Sequence, residues 1–207
     1  MPRPKNTTER RAQIVQGLIE VMAARGYDRA SIASIAEAAG LTTGLIHYHF
    51  KNKGEILLAA LEHLVTRHRA VLDAELKAAG SDPRARLGAF IDVHVGLGRT
   101  TDPTAVACWI LMSGEALREP RVQVLFDQAI VDLRARLAEI IEQGVRSDTF
   151  RRVDGLAAST AIVASIQGYF VLSGTAPSVI PRGTAAICIK QMADGLLAFP
   201  AVPEDAP

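Results

Sequence analysis

The chain has 207 residues, 49% of them hydrophobic, which is enough to bury a core without covalent staples, and its two cysteines, Cys108 and Cys188, lie in apolar stretches that form no disulfide framework. That usage suits a reducing compartment, and Arg3, Lys5, Arg10, Arg11 and Glu20 interrupt the apolar positions of the N-terminus, so a cytoplasmic protein is expected in preference to an exported one. The net charge of +1 hides an asymmetry: through Lys53 eight cations (Arg3, Lys5, Arg10, Arg11, Arg25, Arg29, Lys51, Lys53) face four anions (Glu9, Glu20, Asp28, Glu37), a net +4 that leaves −3 for the remainder.

The periodicity is helical throughout and predicts an all-α fold of about nine helices. The first helix is expected to start after Asn6, capped by that residue with Glu9 three positions on, to bury Ile14, Leu18, Val21 and Met22, and to end at Gly26. Ser31 caps a second helix carrying Ile32, Ile35 and Ala36, and Gly40 closes it at a position suited to positive φ. Thr42 caps a third that runs to about Phe50. Asn52 or Lys53 opens a long fourth helix to Gly80, with Ile56, Leu57, Ala60, Leu61, Leu64, Val71 and Leu72 on its apolar side and a length of roughly 40 Å.

Proline and glycine then divide the chain into helices near 84–98, 104–118, 121–146, 154–174 and 182–199, between tails at Met1–Lys5 and Pro200–Pro207. The apolar run from Leu156 to Leu172 is rich in Ala, Ser and Thr and holds Gln167, so it reads as a buried helix and no membrane partner is expected. Residues 1–53 are expected to form one domain and 54–207 another.

The segment from Ser31 to Lys53 reads as two short helices around a tight glycine turn, a helix-turn-helix. In its second helix Ile46 and Phe50 lie one turn apart and face the core with Leu41, while Thr43, Gly44, His47 and Tyr48 point away. That small, polar outer face suits a major groove in double-stranded DNA. The hydroxyl of Thr42, His49 and the ammonium of Lys53 are placed to hold the phosphate backbone. His47 and His49 cannot share a metal ion, because residues two apart on a helix diverge by roughly 200°.

Gly40, Leu41, Thr42, Gly44, Ile46, His49, Phe50 and Lys53 match a string that resembles the DNA-binding motif of the tetracycline-repressor (TetR) family, over about residues 10–60. His47 and Thr43 depart from the residues most frequent there, Tyr and Lys. Thr43-Gly44-Leu45-Ile46 and the stretch Trp109–Pro120 are also similar to the choline-operon repressor subgroup, a likeness that transfers no ligand. The resemblance implies a repressor that binds an inverted-repeat operator as a homodimer and is released by a small-molecule effector.

Phe90, His94, Cys108, Trp109, Met112, Glu115 and Phe126, with Tyr169, combine apolar bulk with a few polar groups, as residues lining a pocket between helices do, although a plain core has the same composition. Glu115 and His94 are the titratable members of the pocket set, which points to a cationic or polar-aromatic effector acting through the long fourth helix. Ala157, Ala161, Ala164, Ser165, Gly168 and Leu172 recur at three- and four-residue steps, and Ile187, Gln191 and Leu196 of the last helix can join them. This small-residue face suits the four-helix dimer interface that the resemblance implies, or packing within one chain.

Cys108 and Cys188 lack a basic cluster and read as inert thiols, and His63 and His68 as solvated or packing residues. No cofactor is expected. An enzyme is disfavoured because no phosphate loop, nucleophile elbow or His-Glu-x-x-His motif is present. A helical adaptor that binds only protein would fit the helices equally, and differs in leaving DNA fragments unshifted in a gel.

Overall fold

A computed structural model describes residues 4–95, 102–181 and 183–198. Helix α1 (Pro4–Arg25) starts ahead of the expected cap: proline at the first position loses no hydrogen bond and brings a φ suited to a helix, so Asn6 lies inside α1 and Pro4 and Lys5 are not a tail. Ile14, Val15, Leu18, Ile19 and Met22 are buried, with Val21 half-buried. Gly17 faces α2 (Ile32–Ala39) so closely that a Cβ there would lie 2.9 Å from the Ile35 carbonyl oxygen and 3.1 Å from Ala39 Cβ.

Ser31 caps α2 as expected: its Oγ accepts from the Ser34 amide at 3.1 Å, and Ser34 Oγ accepts in return from the Ser31 amide at 2.9 Å. Gly40 follows at φ 63°, the left-handed conformation that turns the chain into α3 (Thr43–His49). Thr42 caps α3 through the Leu45 amide. The remaining helices are α4 (Lys53–Ala78), α5 (Pro83–Val95), α6 (Pro103–Glu115), α7 (Pro120–Arg146), α8 (Gly155–Thr175) and α9 (Thr184–Leu197), and no strand occurs among the described residues. The expected end of α5 at 98 and the C-terminal tail lie outside them. On α4, Val71 is 45% exposed and does not share the apolar side with Leu64 and Leu72.

Contacts gather the helices into two compact units. The first holds α1–α3, α4 as far as Arg69, α6, and α7 as far as Ala129. Its core includes Ile14, Leu18, Ile35, Ile46, Phe50, Leu61, Cys108 and Met112. The second holds the rest of α4 and α7 with α5, α8 and α9, around Phe90, Ile91, Ile141, Phe150, Ile162, Ile166 and Ile189.

In the second unit Phe150 folds back on α7 at Gly144, whose carbonyl accepts from the Thr149 and Phe150 amides at 2.9 and 3.0 Å. A Cβ on Gly144 would fall within the van der Waals envelope of the buried Phe150 ring, including the ring atom nearest its own backbone. Gly144→Ala is therefore expected to destabilise the unit by about 1–3 kcal/mol, as overpacking of a core does. Thermal unfolding checks this as a fall of several degrees in Tm.

Candidate nucleic-acid interface and effector region

The short helix α3 presents the face expected of it. Ile46 and Phe50 are buried and Leu41 half-buried against the first core, while Thr43, Gly44 and His47 are exposed and Tyr48 is 80% exposed. His49 is half-buried, its ring edge-on to Tyr48 with centroids 5.0 Å apart. Thr42 Oγ1 is the acceptor in its cap bond, which leaves the hydroxyl proton to donate outward.

Lys53 is half-buried at the start of α4. Its Nζ donates to the Tyr27 carbonyl at 3.0 Å and lies 4.1 Å over the Tyr27 ring. Burial raises the Tyr27 phenol above its ordinary pKa, helped by the negative charges of Glu115, Glu119 and Asp28. Glu115, at the end of α6, therefore sits within electrostatic reach of the turn between α1 and α2.

Arg11, in the sequence only one of the N-terminal cations, also belongs to this region. Its guanidinium reaches from α1 to the end of α3, donating from Nη1 to the His49 carbonyl at 2.6 Å and lying 4.0 Å over the Phe50 ring. One signal was available: Arg11 stands one turn before Ile14 and Val15 and so rises beside the buried side of α1.

The expected effector residues divide between the units. In the first, Trp109 stacks on Phe126 with centroids 4.4 Å apart, and Met112 and Cys108 are buried in the core. Cys108 Sγ lies 3.4 Å from the Ile19 carbonyl, and burial, with a contribution from Asp102, raises the thiol to about 11, so it stays protonated and unreactive. Asp102 caps α6 through the Thr104 and Ala105 amides and pairs with Arg67 at 2.9 Å. Burial pushes its carboxyl pKa up, but those partners outweigh it and hold the group below its ordinary value.

In the second unit Phe90 and His94 are buried with rings 4.5 Å apart, and His94 Nδ1 lies 2.6 Å from the Phe90 carbonyl. Tyr169 is half-buried, and burial and a hydrogen bond with Cys188 raise its phenol. A separate cleft of about 360 Å³ in this unit is lined by Asp73, Leu76, Lys77, Arg86, Arg136 and Glu139, none of them expected. Of the two remaining histidines considered, His63 is exposed, and burial lowers the pKa of His68.

On α8 the buried side is Ala158, Ile162, Val163 and Ile166, and the other side is left open. Ala157, Ala161, Ala164, Gly168 and Leu172 are exposed there, with Ser165 half-buried. On α9, Ile187 is 58% exposed, Gln191 is exposed and Leu196 half-buried. Leu156, Val171 and Met192 extend the exposed apolar surface.

Comparison with known proteins agrees with this architecture. Residues 14–60 match the family described as bacterial regulatory proteins, tetR family, and residues 83–198, more than half of the chain, match the C-terminal domain of BetI-type transcriptional repressors. The HTH-type transcriptional regulator BetI of Paraburkholderia phymatum is 27% identical over 76% of this chain and 81% of its own, and that of Ectopseudomonas mendocina is 30% identical over 60% of this chain and 64% of its own. Among solved structures, a putative transcriptional regulator from Saccharomonospora viridis in complex with choline superposes with a TM-score of 0.78 at 25% identity, covering 91% of this chain and 95% of that one. A TetR-family regulator from Cytophaga hutchinsonii shares the fold with a TM-score of 0.83 at 18% identity, over 96% of this chain and all of that one. With an exposed recognition-helix face on an all-helical frame, and both halves matched, the chain belongs to the TetR family, with a BetI-type C-terminal domain, and is a ligand-responsive, DNA-binding transcriptional regulator.

Proposed function

We propose that this regulator is a homodimeric repressor that binds an inverted repeat in double-stranded DNA and leaves it when a small cationic effector of choline's class binds. The observation that carries the reading is the outer face of α3, where Thr43, Gly44, His47 and Tyr48 stand free of the core that holds Ile46 and Phe50. In this reading residues 1–53 bind DNA and 54–207 bind effector and partner. Thr43, Gly44, His47 and Tyr48 meet base edges, and Thr42, His49 and Lys53 hold the backbone.

The open side of α8, with Ile187, Gln191 and Leu196 of α9, supports an isologous dimer, and two symmetric recognition helices then require a two-fold operator. Although α8 is long and apolar enough to cross a membrane, a second copy accounts for its exposed side and keeps the protein in the cytoplasm. The protein acts by binding, not by catalysis. For the effector, the stacked rings of Trp109 and Phe126 and the carboxylate of Glu115, all in the first unit, supply what a quaternary ammonium needs. The choline bound to the Saccharomonospora viridis protein supports that class.

The test uses the full-length protein and a duplex selected by it from a random-sequence library. Choline is titrated while Trp109 fluorescence is followed, with and without that duplex. Choline affinity is expected to fall about five- to 150-fold with the duplex present, the usual range of allosteric coupling, and duplex affinity by the same factor with choline. Equal choline affinities would remove the proposed control, and absence of choline binding would remove the effector class. Recovery of no specific duplex would instead favour a protein-binding adaptor.

A further inference from the structure

We propose that Arg11 is a positioning residue for operator recognition: it fixes the recognition helix from outside the helix-turn-helix, by clamping the joint at His49–Phe50, and does not itself contact DNA. The proposal rests on the reading of α3 as the DNA-reading helix. A helix of seven residues has few internal hydrogen bonds, and the carbonyls of its last turn have no partner within it. The Ile46 carbonyl is taken by the Phe50 amide at 2.8 Å. The His49 carbonyl receives Arg11 Nη1 at 2.6 Å, the short distance of a bond from a charged donor. A cation at this end also complements the helix dipole.

The same guanidinium lies 4.0 Å over the ring of Phe50, the next residue, whose side chain is buried in the first core. Arg11 therefore holds two successive residues at once, one by the in-plane N–H and one by the ring face. The second grip is anchored in the core and the first is on the helix that must be aimed. Tyr48 and His47 precede this joint directly, so a small rotation about it, within the play that the packing of Ile46 allows, shifts the groove-facing side chains. Neighbouring Arg10 is differently placed, with Nη1 donating to Gln13 on its own helix at 2.8 Å.

A phosphate contact by Arg11 makes a different set of expectations, and full-length Arg11→Gln and Arg11→Lys separate them. Each variant is measured against the duplex selected by the unsubstituted protein and against a scrambled duplex, across a range of salt concentrations, with Tm recorded. If Arg11 positions α3, Arg11→Gln binds the selected duplex about tenfold or more weakly, holds the scrambled one within about twofold, and keeps its salt slope, because no phosphate contact is lost. Arg11→Lys, which keeps a charged donor for the His49 carbonyl but not a planar group for the Phe50 ring, recovers part of the preference at an unchanged slope, and it decides the matter if Arg11→Gln does not fold. Equal losses on both duplexes with a slope reduced by about 0.9 per half-site would assign Arg11 to a phosphate and overturn the proposal. Unchanged affinities in both variants would overturn it as well. Failure of the unsubstituted protein to select any duplex would refute the reading of α3 itself, a result distinct from either of these.

Discussion

Ala164→Asp is expected to yield a folded monomer that binds operator DNA poorly. Ala164 lies on the exposed side of α8, opposite Ile162, Val163 and Ile166, so a carboxylate there leaves the protomer's own core untouched. In an isologous dimer each substitution is made twice, once from each copy, within one self-complementary patch. Two carboxylates would lose water there without a cation, at a cost of several kcal/mol each, more than a surface of alanines and glycine can offset. A monomer must then bind each half-site alone and forfeits the roughly 10²- to 10⁴-fold gain of linked binding. Light scattering reports the mass, circular dichroism the fold and a gel shift the affinity. A well-folded dimer of the variant would remove this side of α8 from the interface.

Gly44→Glu is expected to abolish operator binding without harming the fold. A Cβ at Gly44 meets nothing within 4 Å, and the residue is helical, so a side chain there is tolerated in the free protein and even favoured by about 0.5–1 kcal/mol from helix propensity. In the proposed complex with DNA the same space belongs to the major groove. A glutamate would occupy it and bring a negative charge toward phosphates spaced at one charge per ~1.7 Å of duplex, so a loss of at least about a hundredfold is expected. Equal Tm with lost binding supports the assigned face, whereas retained binding would place Gly44 away from the groove. Gly17 gives the contrast, because a side chain there meets the Ile35 carbonyl and Ala39 at once.

Much of the DNA-reading element was legible in the chain itself. Ser31, Gly40 and Thr42 mark where α2 and α3 start and stop because caps and left-handed turns are made by residues within four positions of each other. Helical spacing likewise separates Ile46 and Phe50 from Thr43, His47 and Tyr48, since 3.6 residues per turn decides which side chains share a side. The same rule anticipates the small-residue side of α8, whose exposure in the protomer follows from Ile162 and Ile166 facing the other way. Where local rules competed they misled: Asn6 has the character of a cap, but Pro4 already satisfies the start of α1.

Contacts between distant segments were not legible, because helical periodicity says which side of a helix is apolar but not which helix covers it. Val71 reads as a core position on α4 and is exposed. Only the packing of α6 on α1 brings Cys108 to the Ile19 carbonyl, 89 residues away, and puts Trp109, Met112 and Phe126 in the same unit as the DNA-reading helix. Only the folded chain sets Lys53 over Tyr27, and Arg11 against a carbonyl 38 residues on. The sequence by itself thus determined the helices, the caps of α2 and α3 and the side of α3 that stays outside the core, all products of interactions spanning a turn or two. Tertiary structure decided which side chain reaches the end of α3, because a charged group finds its partner by the geometry of packed helices, which no short window of residues contains.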